Sequence, residues 1–155
     1  MMHLVDSHCH LNYTEFEPDF LLMLARAKEA KIGCLQTICT KMSEFESVHA
    51  IATTHPQIYC SVGVHPHESG KESLVSVETL VEKSHLPKVI GIGETGLDYY
   101  YEHSDRAIQQ RSFRNHITAS RLTGLPVIVH TRDADDDTIA ILQQEMRIGA
   151  FPLLI

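Results

Sequence analysis

Short apolar runs alternate with longer amphipathic segments along the whole chain. Runs of strand length cover residues 4–10, 34–40, 58–64, 89–93 and 126–129, and residues 151–155 begin a sixth. A segment with apolar positions at helical spacing follows each of the first five runs. Strand and helix therefore alternate without a break, which predicts a parallel sheet with right-handed crossovers. We expect an α/β fold in which residues 1–155 form a single domain.

The helical segments carry signals for where they begin and end. Ser43 and Glu46 are spaced as a capping box that would open the second helix. Asp135 is expected to cap the fifth. The first helix (18–31) has Pro18 in its first turn and Gly33 just after its end. The third helix is marked by the apolar positions Leu74, Val77 and Val81. Gly124 follows the fourth helix (104–123) and can end it.

Polar side chains follow the apolar runs at the points where those runs end. His8 and His10, His65, Glu94 and His130 all occupy such positions. The carboxyl ends of parallel strands meet at one edge of a sheet, where active-site groups converge. In an extended segment His8 and His10 also point to the same side. The pattern predicts a joint metal site made of His8, His10, Glu94 and His130.

Three imidazoles and one carboxylate suit divalent Zn, Mn or Mg, and the two oxygens of Glu94 can bridge two ions. Two neighbouring ions stabilise the attacking and leaving oxygens of a displacement at phosphorus, and they lower the pKa of a bound water. We therefore expect two divalent metal ions and hydrolytic chemistry. Cys9 is the one thiol near the site, and its side chain should face away from the flanking histidines.

Other polar residues near the strand ends have two interpretations each. Arg132 suits a phosphate oxygen, or forms a surface salt bridge with Asp133 or Asp136. His65 contacts the scissile phosphate or a metal, or is a loop residue that bonds to backbone. Asp98 orients a ligand or caps the turn after Gly96, and the turn is the preferred reading.

The remaining candidates are expected to be structural or remain open. His67 is assigned a structural or supporting role. Tyr99, Tyr100 and Tyr101 either stack on a base or pack at the mouth of the loop. Asp135 and its two acidic neighbours suit the first turn of a helix and are given no metal role.

Composition limits the classes of partner. The formal charge is −7, which argues against broad electrostatic binding of nucleic acid, so a phosphate partner must be held locally. No apolar run approaches membrane-spanning length and no signal peptide is evident, so we expect no membrane partner and a cytoplasmic location, or a nuclear one in a eukaryote. Four cysteines without a C-x-x-C pair are expected to be reduced.

Four motifs in order resemble the TatD family of metal-dependent deoxyribonucleases: DSHCHL (6–11), GVHPH (63–67), GIGETGLDY (91–99) and PVIVHTRDA (126–134). The resemblance implies a TIM (β/α)8-type barrel. It also implies His8 and His10 on one ion, Glu94 bridging, His130 on the other ion, and His65 and Arg132 near the substrate phosphate. Glu94, His65 and Arg132 are thus the expected catalytic residues.

The resemblance also implies a DNA substrate that is single-stranded or attacked at its 3′ ends. It implies that the protein has a role in DNA repair or in nuclear breakdown during cell death. Such a barrel has a further metal-binding His after its sixth strand and an Asp after its eighth that accepts a proton. This chain has about five βα units and the start of a sixth strand. We expect it to be the N-terminal part of a longer protein, or to pair with another chain across the open sheet edge, and to be impaired alone. The alternatives are a related barrel hydrolase of small esters, amides or phosphomonoesters, and a non-catalytic metal-binding fragment.

Overall fold

A computed structural model describes residues 4–154 of the chain. Its strands are β1 (Leu4–Cys9), β2 (Ile32–Thr37), β3 (Ile58–Val62), β4 (Val89–Asp98), β5 (Val127–Arg132) and β6 (Leu153–Leu154). Its α-helices are α1 (Phe20–Glu29), α2 (Phe45–Thr54), α3 (Val77–Ser84), α4 (Arg106–Thr123) and α5 (Asp135–Ile148), and short 3-10 helices at Thr14–Asp19 and Met42–Glu44 precede α1 and α2. The strands form one sheet in sequence order, and all neighbouring pairs are parallel. The predicted α/β alternation is confirmed.

Apolar side chains between the sheet and the helices account for this arrangement. Ile58, Cys60 and Val62 of β3 are fully buried, as expected for a central strand covered on both faces. A second cluster joins α4 to β5 through Phe113, Ile117 and Val127 and extends to α5. Burial of these faces stabilises the helices against the sheet and fixes the strand ends relative to one another.

Two of the predicted helix caps are wrong. The Ser43 hydroxyl donates to Glu72 at 2.5 Å, and Glu46 instead accepts from Lys83 at 2.6 Å, so no capping box forms. Asp135 is the first residue of α5 rather than its cap, and it accepts a hydrogen bond from Thr131. Ser43 bonds to a residue distant in sequence and Asp135 to a residue on the preceding strand. In each case this side-chain hydrogen bond replaces the bond to a backbone N–H that a helix cap would make.

The caps that do form belong to α3 and α4. Ser76 accepts from the backbone N–H of Thr79, so α3 begins at Val77 and the predicted helical position Leu74 lies before it. Asp105 accepts from the backbone N–H groups of Ala107 and Ile108 and caps α4. Gly124 follows α4 in the left-handed conformation, as expected of a helix C-terminus.

β4 is longer than the predicted run of residues 89–93. It continues through Glu94 to Asp98, and its last residues pair with β5 up to Asp98 opposite Arg132. The polar residues Glu94 and Asp98 therefore lie on a strand rather than in the loop after it. Period-2 alternation places both on one face of the sheet.

Two glycines allow β3 and β4 to approach closely beside Glu94. A Cβ added at Gly63 would collide with the Cα of Gly93 and lie 2.7 Å from its nitrogen. The Ser61 hydroxyl donates to the Gly93 carbonyl at 2.5 Å, and the Glu94 N–H donates to the Cys39 carbonyl at 3.0 Å. These backbone contacts fix the position from which the Glu94 side chain projects.

The sheet is open, with β1 and β6 as its outer strands. Leu4 and Val5 on β1 are 57% and 65% exposed, and Leu153 and Leu154 on β6 are also exposed. The predicted pairing of another chain at such an edge stays a prediction, and Ile155 of the predicted sixth run lies outside the described residues. Across residues 4–154, no helix has the length and apolar character that crossing a bilayer requires.

Candidate metal centre

The first group of candidate ligands combines β1 with β4. One ligand atom each from His8, His10 and Glu94 lies within 4.8 Å of the others. His8 Nε2 is 3.4 Å from Glu94 Oε2, and the two imidazole centroids are 5.3 Å apart. The expected convergence of His8 and His10 on one side of the strand is therefore present, and Glu94 faces them from β4.

The second group lies on the other side of the same carboxylate. Ligand atoms of His65, Glu94 and His130 are within 4.8 Å of one another. Oε1 of Glu94 is 3.2 Å from His130 Nδ1 and 3.9 Å from His65 Nε2. Glu94 thus belongs to both groups, with a different oxygen in each, which is the arrangement that a bridging carboxylate requires.

The electrostatics of the groups suit cations. Burial favours the neutral form of Glu94, but hydrogen bonds from His130 and His8 outweigh it and hold the pKa of this carboxyl well below its usual range. Burial lowers the pKa of His10, and lowers that of His65 to about 4. The hydrogen bond to Glu94 raises the pKa of His8. Burial alone would lower the pKa of His130, but hydrogen bonds to Glu94 and Asp98 raise it. Imidazoles bind metal in the neutral form, so an ion bound here would displace protons from His8 and His130.

His10 adds an independent indication. Within residues 4–154, its Nδ1 is buried and has no hydrogen-bond partner, although buried polar atoms are almost always paired. A donor set of imidazole nitrogens and carboxylate oxygens, with one such nitrogen unpartnered, fits borderline divalent ions. The residues present therefore fit the two divalent ions that the sequence predicts.

His65 has the backbone hydrogen bond of its second interpretation, and its contact with a phosphate or a metal stays a prediction. The backbone N–H of His67 donates to His65 Nδ1 at 3.2 Å, so Nδ1 carries a lone pair. In the neutral ring the proton is then on Nε2, the nitrogen that faces Glu94 and His130. A protonated nitrogen donates hydrogen bonds and does not bind metal. His65 is thus arranged as a donor beside the metal groups.

Asp98 forms the predicted turn cap and also contacts two histidines. Its Oδ1 accepts from the backbone N–H groups of Tyr100 and Tyr101, which is the predicted turn cap. Its Oδ2 lies 2.7 Å from His67 Nε2 and 3.1 Å from His130 Nε2. The preference for the turn alone missed this second contact. The alternation of Glu94, Gly96 and Asp98 along β4 would have indicated it.

Arg132 lies at the end of β5 and is exposed. Its guanidinium stacks over the rings of Tyr100 and Tyr101, at 4.3 and 4.7 Å from their centroids. Of the salt bridges formed between residues 4 and 154, none links Arg132 to Asp133 or Asp136. The guanidinium is thus held by aromatic faces while its donors stay available.

The three tyrosines pack at the mouth of the loop, which was one of their two interpretations. Tyr100 and Tyr101 lie under Arg132, and Tyr101 also stacks on His103. The Tyr99 hydroxyl donates to Asp137 at 2.7 Å, and its ring lies under Arg106. Asp137, in the first turn of α5, is therefore paired with a tyrosine hydroxyl.

A groove of about 760 Å³ opens beside the two groups. His65, Glu94 and His130 line one part of it, and Tyr13 and Lys41 line another. The Tyr13 ring stacks on His10 with centroids 5.0 Å apart and is 44% exposed. The groove gives a ligand direct access to both candidate metal groups.

Comparison with known proteins gives consistent matches. A family profile described as "TatD related DNase" matches residues 5–152. The metal-dependent hydrolase YcfH of Escherichia coli, named as uncharacterized, is 39% identical over 149 residues, which are 93% of this chain and 55% of that protein. A protein of Escherichia fergusonii named "3'-5' ssDNA/RNA exonuclease TatD" is 29% identical over 140 residues, 90% of this chain and 54% of that protein.

Solved structures match the fold over more than nine-tenths of this chain. The TatD homologue YjjV of Escherichia coli superposes with a TM-score of 0.84 at 30% identity, over 92% of this chain and 56% of that one. A TatD family hydrolase of Entamoeba histolytica has a TM-score of 0.83 at 19% identity and supports the fold alone. The chain spans about half the length of the curated relatives it matches. The predicted fold, part of a barrel of (β/α)8 type, is confirmed.

Proposed function

The chain belongs to the TatD related DNase family, and from that premise we propose that it acts as a metal-dependent hydrolase of DNA phosphodiester bonds. The proposed substrate is single-stranded DNA attacked from a 3′ end, because a relative carries the name of a 3′–5′ single-stranded exonuclease. A part in DNA repair or degradation, and a cytoplasmic or nuclear location, follow from that substrate as further parts of the proposal.

One observation carries the proposal. The two oxygens of Glu94 face two separate groups of imidazole nitrogens, with His8 at 3.4 Å from one oxygen and His130 at 3.2 Å from the other. When bound, a pair of divalent ions would supply activated water and charge stabilisation at phosphorus. His8 and His10 would hold one ion, His130 the other, and Glu94 both.

His65 and Arg132 supply the contacts to the phosphate in this proposal. His65 presents a protonated Nε2 toward the groups, because its Nδ1 accepts from the His67 backbone. That N–H can donate to a phosphate oxygen. Arg132, oriented by Tyr100 and Tyr101, offers a second, charged donor. Because the formal charge of −7 argues against broad electrostatic attraction of DNA, the protein needs local contacts of this kind to hold a phosphate.

A cleavage assay tests the proposal. The chain is incubated with a 3′-labelled single-stranded oligodeoxynucleotide and Mn²⁺ or Mg²⁺. We expect release of nucleotides that chelation abolishes and that His130→Ala reduces by at least about tenfold. Cleavage by a full-length form but not by this chain would show the impairment expected of the chain alone. Absence of cleavage by both, folded and metal-loaded, would contradict the proposal and support the alternative of a metal-binding protein without turnover.

Cys9→Ser is the matched control on the same strand. Cys9 lies between His8 and His10, but its Sγ donates to the Gln36 carbonyl, away from the groups. Burial raises the pKa of this thiol to about 12, so the metal-free thiol is neutral at ordinary pH. We expect cleavage by this variant to stay within about twofold of the parent chain.

The lining of the groove favours a second candidate, a hydrolase of small esters or phosphomonoesters. Besides Glu94, the groove is lined by Glu15, Glu44 and Glu68, with Lys41 as its cation, and Lys41 is already paired with Glu44 at 2.9 Å. Such a lining repels a long polyanion more than a small substrate. Turnover of p-nitrophenyl phosphate or a small ester without oligonucleotide cleavage would favour this candidate.

A further inference from the structure

We propose that Asp98 is a positioning residue that sets the tautomer of His130, so that the lone pair of His130 Nδ1 points toward Glu94. The inference rests on the metal centre of the proposed function, whose ligand it concerns. Its main test needs neither metal nor DNA, because the tautomer is a property of the metal-free chain.

The Asp98 carboxylate is buried and its accepting capacity is filled. Its side chain is 1% exposed. Oδ1 accepts from the N–H groups of Tyr100 and Tyr101 at 3.1 and 3.0 Å. Oδ2 lies 2.7 Å from His67 Nε2 and 3.1 Å from His130 Nε2. An ionised carboxylate has about four lone-pair sites and only accepts, so each of these four contacts requires an N–H from the partner.

The contacts of Asp98 support its ionised form. Two backbone N–H groups donate to Oδ1, and ring nitrogens of His67 and His130 lie 2.7 and 3.1 Å from Oδ2. A carboxyl group that faces four nitrogens in this way is arranged as an acceptor.

α4 holds Asp98 in place through one buried amide. The Asp98 N–H donates to Gln109 Oε1 at 2.8 Å, and Gln109 Nε2 donates back to the Asp98 carbonyl at 3.1 Å and to the Ser104 carbonyl at 2.8 Å. Gln109 is itself 0% exposed. The carboxylate therefore cannot turn away from the two histidines without breaking buried hydrogen bonds.

The tautomer of His130 follows from these contacts. A neutral imidazole has one N–H, and two carboxylates compete for it: Asp98 Oδ2 at Nε2, and Glu94 Oε1 at Nδ1, 3.2 Å away. The Nε2–H of His65 lies 3.3 Å from His130 Nδ1 and can donate to it, so Nδ1 has a donor to accept from, whereas Nε2 faces only the Asp98 acceptor. This favours the proton on Nε2 and the lone pair on Nδ1. A carboxylate that holds the far nitrogen of a ligand histidine fixes the orientation of the ring and raises its basicity.

Asp98→Asn tests this assignment with little change of shape. The backbone N–H groups of Tyr100 and Tyr101 can only donate hydrogen bonds, so the side-chain oxygen of the asparagine must take the position of Oδ1 and accept from them. The amide NH₂ then faces His67 and His130 and donates to both. Each ring must accept on Nε2, which moves the His130 proton to Nδ1 and turns the lone pair away from Glu94.

The primary measurement is the ¹⁵N NMR spectrum of the histidine rings of the metal-free chain at about pH 9, where imidazoles are neutral. The His130 signals are assigned by their loss in His130→Gln. We expect Nε2–H in the parent chain and Nδ1–H in Asp98→Asn. Nδ1–H in the parent chain would overturn the proposal, and this measurement does not depend on the folding of a variant.

Titration with Zn²⁺ alone gives the functional readout. We expect Asp98→Asn to weaken binding at the His130 side roughly 10- to 100-fold, while the His8 and His10 signals respond to Zn²⁺ as in the parent chain. His67→Phe is the matched control, because it removes the other donor to Oδ2 and leaves the Asp98 contact to His130. That control should keep the parent tautomer.

The outcomes separate this inference from the proposed function. A reversed tautomer and weaker Zn²⁺ binding in Asp98→Asn support the inference even if the chain cleaves no DNA. An unchanged tautomer, or a reversed tautomer with unchanged Zn²⁺ affinity, contradicts it even if the chain is an active nuclease. A loss of thermal stability alone, without either change, would show that Asp98 acts only as the cap of its turn.

Discussion

Oε1 of Glu94 lies 3.2 Å from Nδ1 of His130, and the other oxygen of the same carboxylate is directed to a different strand, β1. Because one side chain contributes to both candidate metal groups, Glu94→Ala should weaken both. We expect a loss of affinity of roughly 100-fold or more at each site, since even the loss of a supporting contact costs about 10- to 100-fold.

Calorimetric titration with Mn²⁺ measures this loss. Glu68→Ala is the matched control, because Glu68 also lines the groove but pairs with Lys71 and belongs to neither group. Retention of one full-affinity ion by the Glu94 variant would contradict the bridging role.

Arg132→Lys tests the phosphate contact. Lysine retains the charge but loses the planar guanidinium that stacks on Tyr100 and Tyr101 and that can bind a phosphate through two N–H groups. We expect binding of thymidine 5′-monophosphate in the presence of Mn²⁺ to weaken about tenfold, or about 1.4 kcal/mol. The same change at Arg147, in the last turn of α5, should have no effect. Equal binding by the Arg132 variant would exclude the stacked guanidinium from the phosphate site.

His116 should make the fold sensitive to acid. The ring is fully buried, with Nε2 accepting from the Val64 N–H at 3.0 Å and Nδ1 donating to the Ser112 carbonyl at 2.7 Å. Burial lowers the pKa of His116 to about 4 from the ordinary 6.5. The unfolded chain therefore binds the proton more readily than the folded one. Stability is complete above the unfolded pKa and declines as the pH falls from about 6.5 to about 4.

The size of the effect follows from the difference in pKa, which corresponds to about 3 kcal/mol over that range. Urea unfolding at a series of pH values measures it. The comparison is with His116→Gln, whose amide oxygen can still accept from Val64, so that the contributions of all other groups cancel. The free energy of unfolding of the variant should therefore fall less steeply than that of the parent chain between about pH 6.5 and pH 4. Parallel curves for the two proteins would show that His116 titrates normally in the fold.

Gly63→Ala should disturb both stability and metal binding. The added methyl group would meet the Gly93 backbone, which cannot move without displacing Glu94. We expect a cost of about 3 kcal/mol in urea unfolding, at the upper end of overpacking effects. Gly124→Ala is the control: its Cβ meets nothing within 4 Å, and its φ of +73° predicts a cost of about 1 kcal/mol. A Gly63 variant as stable as the Gly124 variant would contradict the close approach of β3 and β4.

The sequence predicts most of the fold because the central strands are buried on both faces and read as continuous apolar runs. Continuous apolar runs such as 58–64 and 126–129 correspond to β3 and β5 within a few residues. The convergence of His8, His10, Glu94 and His130 follows from the rule that parallel strands end at one edge. The metal roles of these residues stay predictions, as do the catalytic roles of Glu94, His65 and Arg132.

What the sequence did not predict depends on contacts between distant segments. Ser43 has the correct spacing for a capping box, yet its hydroxyl binds Glu72 from another loop. The contact of Asp98 with His130 requires knowing that β4 continues past Glu94 and pairs with β5 to its end. The tautomer of His65 depends on a backbone N–H two residues away, and only coordinates show which ring nitrogen accepts it.

The length of β4 has a consequence for how this protein can vary. Glu94 and the carboxylate that supports His130 lie on the same strand, separated by an even number of residues. Inserting or deleting one residue between them would turn one of the two to the opposite side of the sheet. The spacing between residues 94 and 98 must therefore be kept for both carboxylates to face His130.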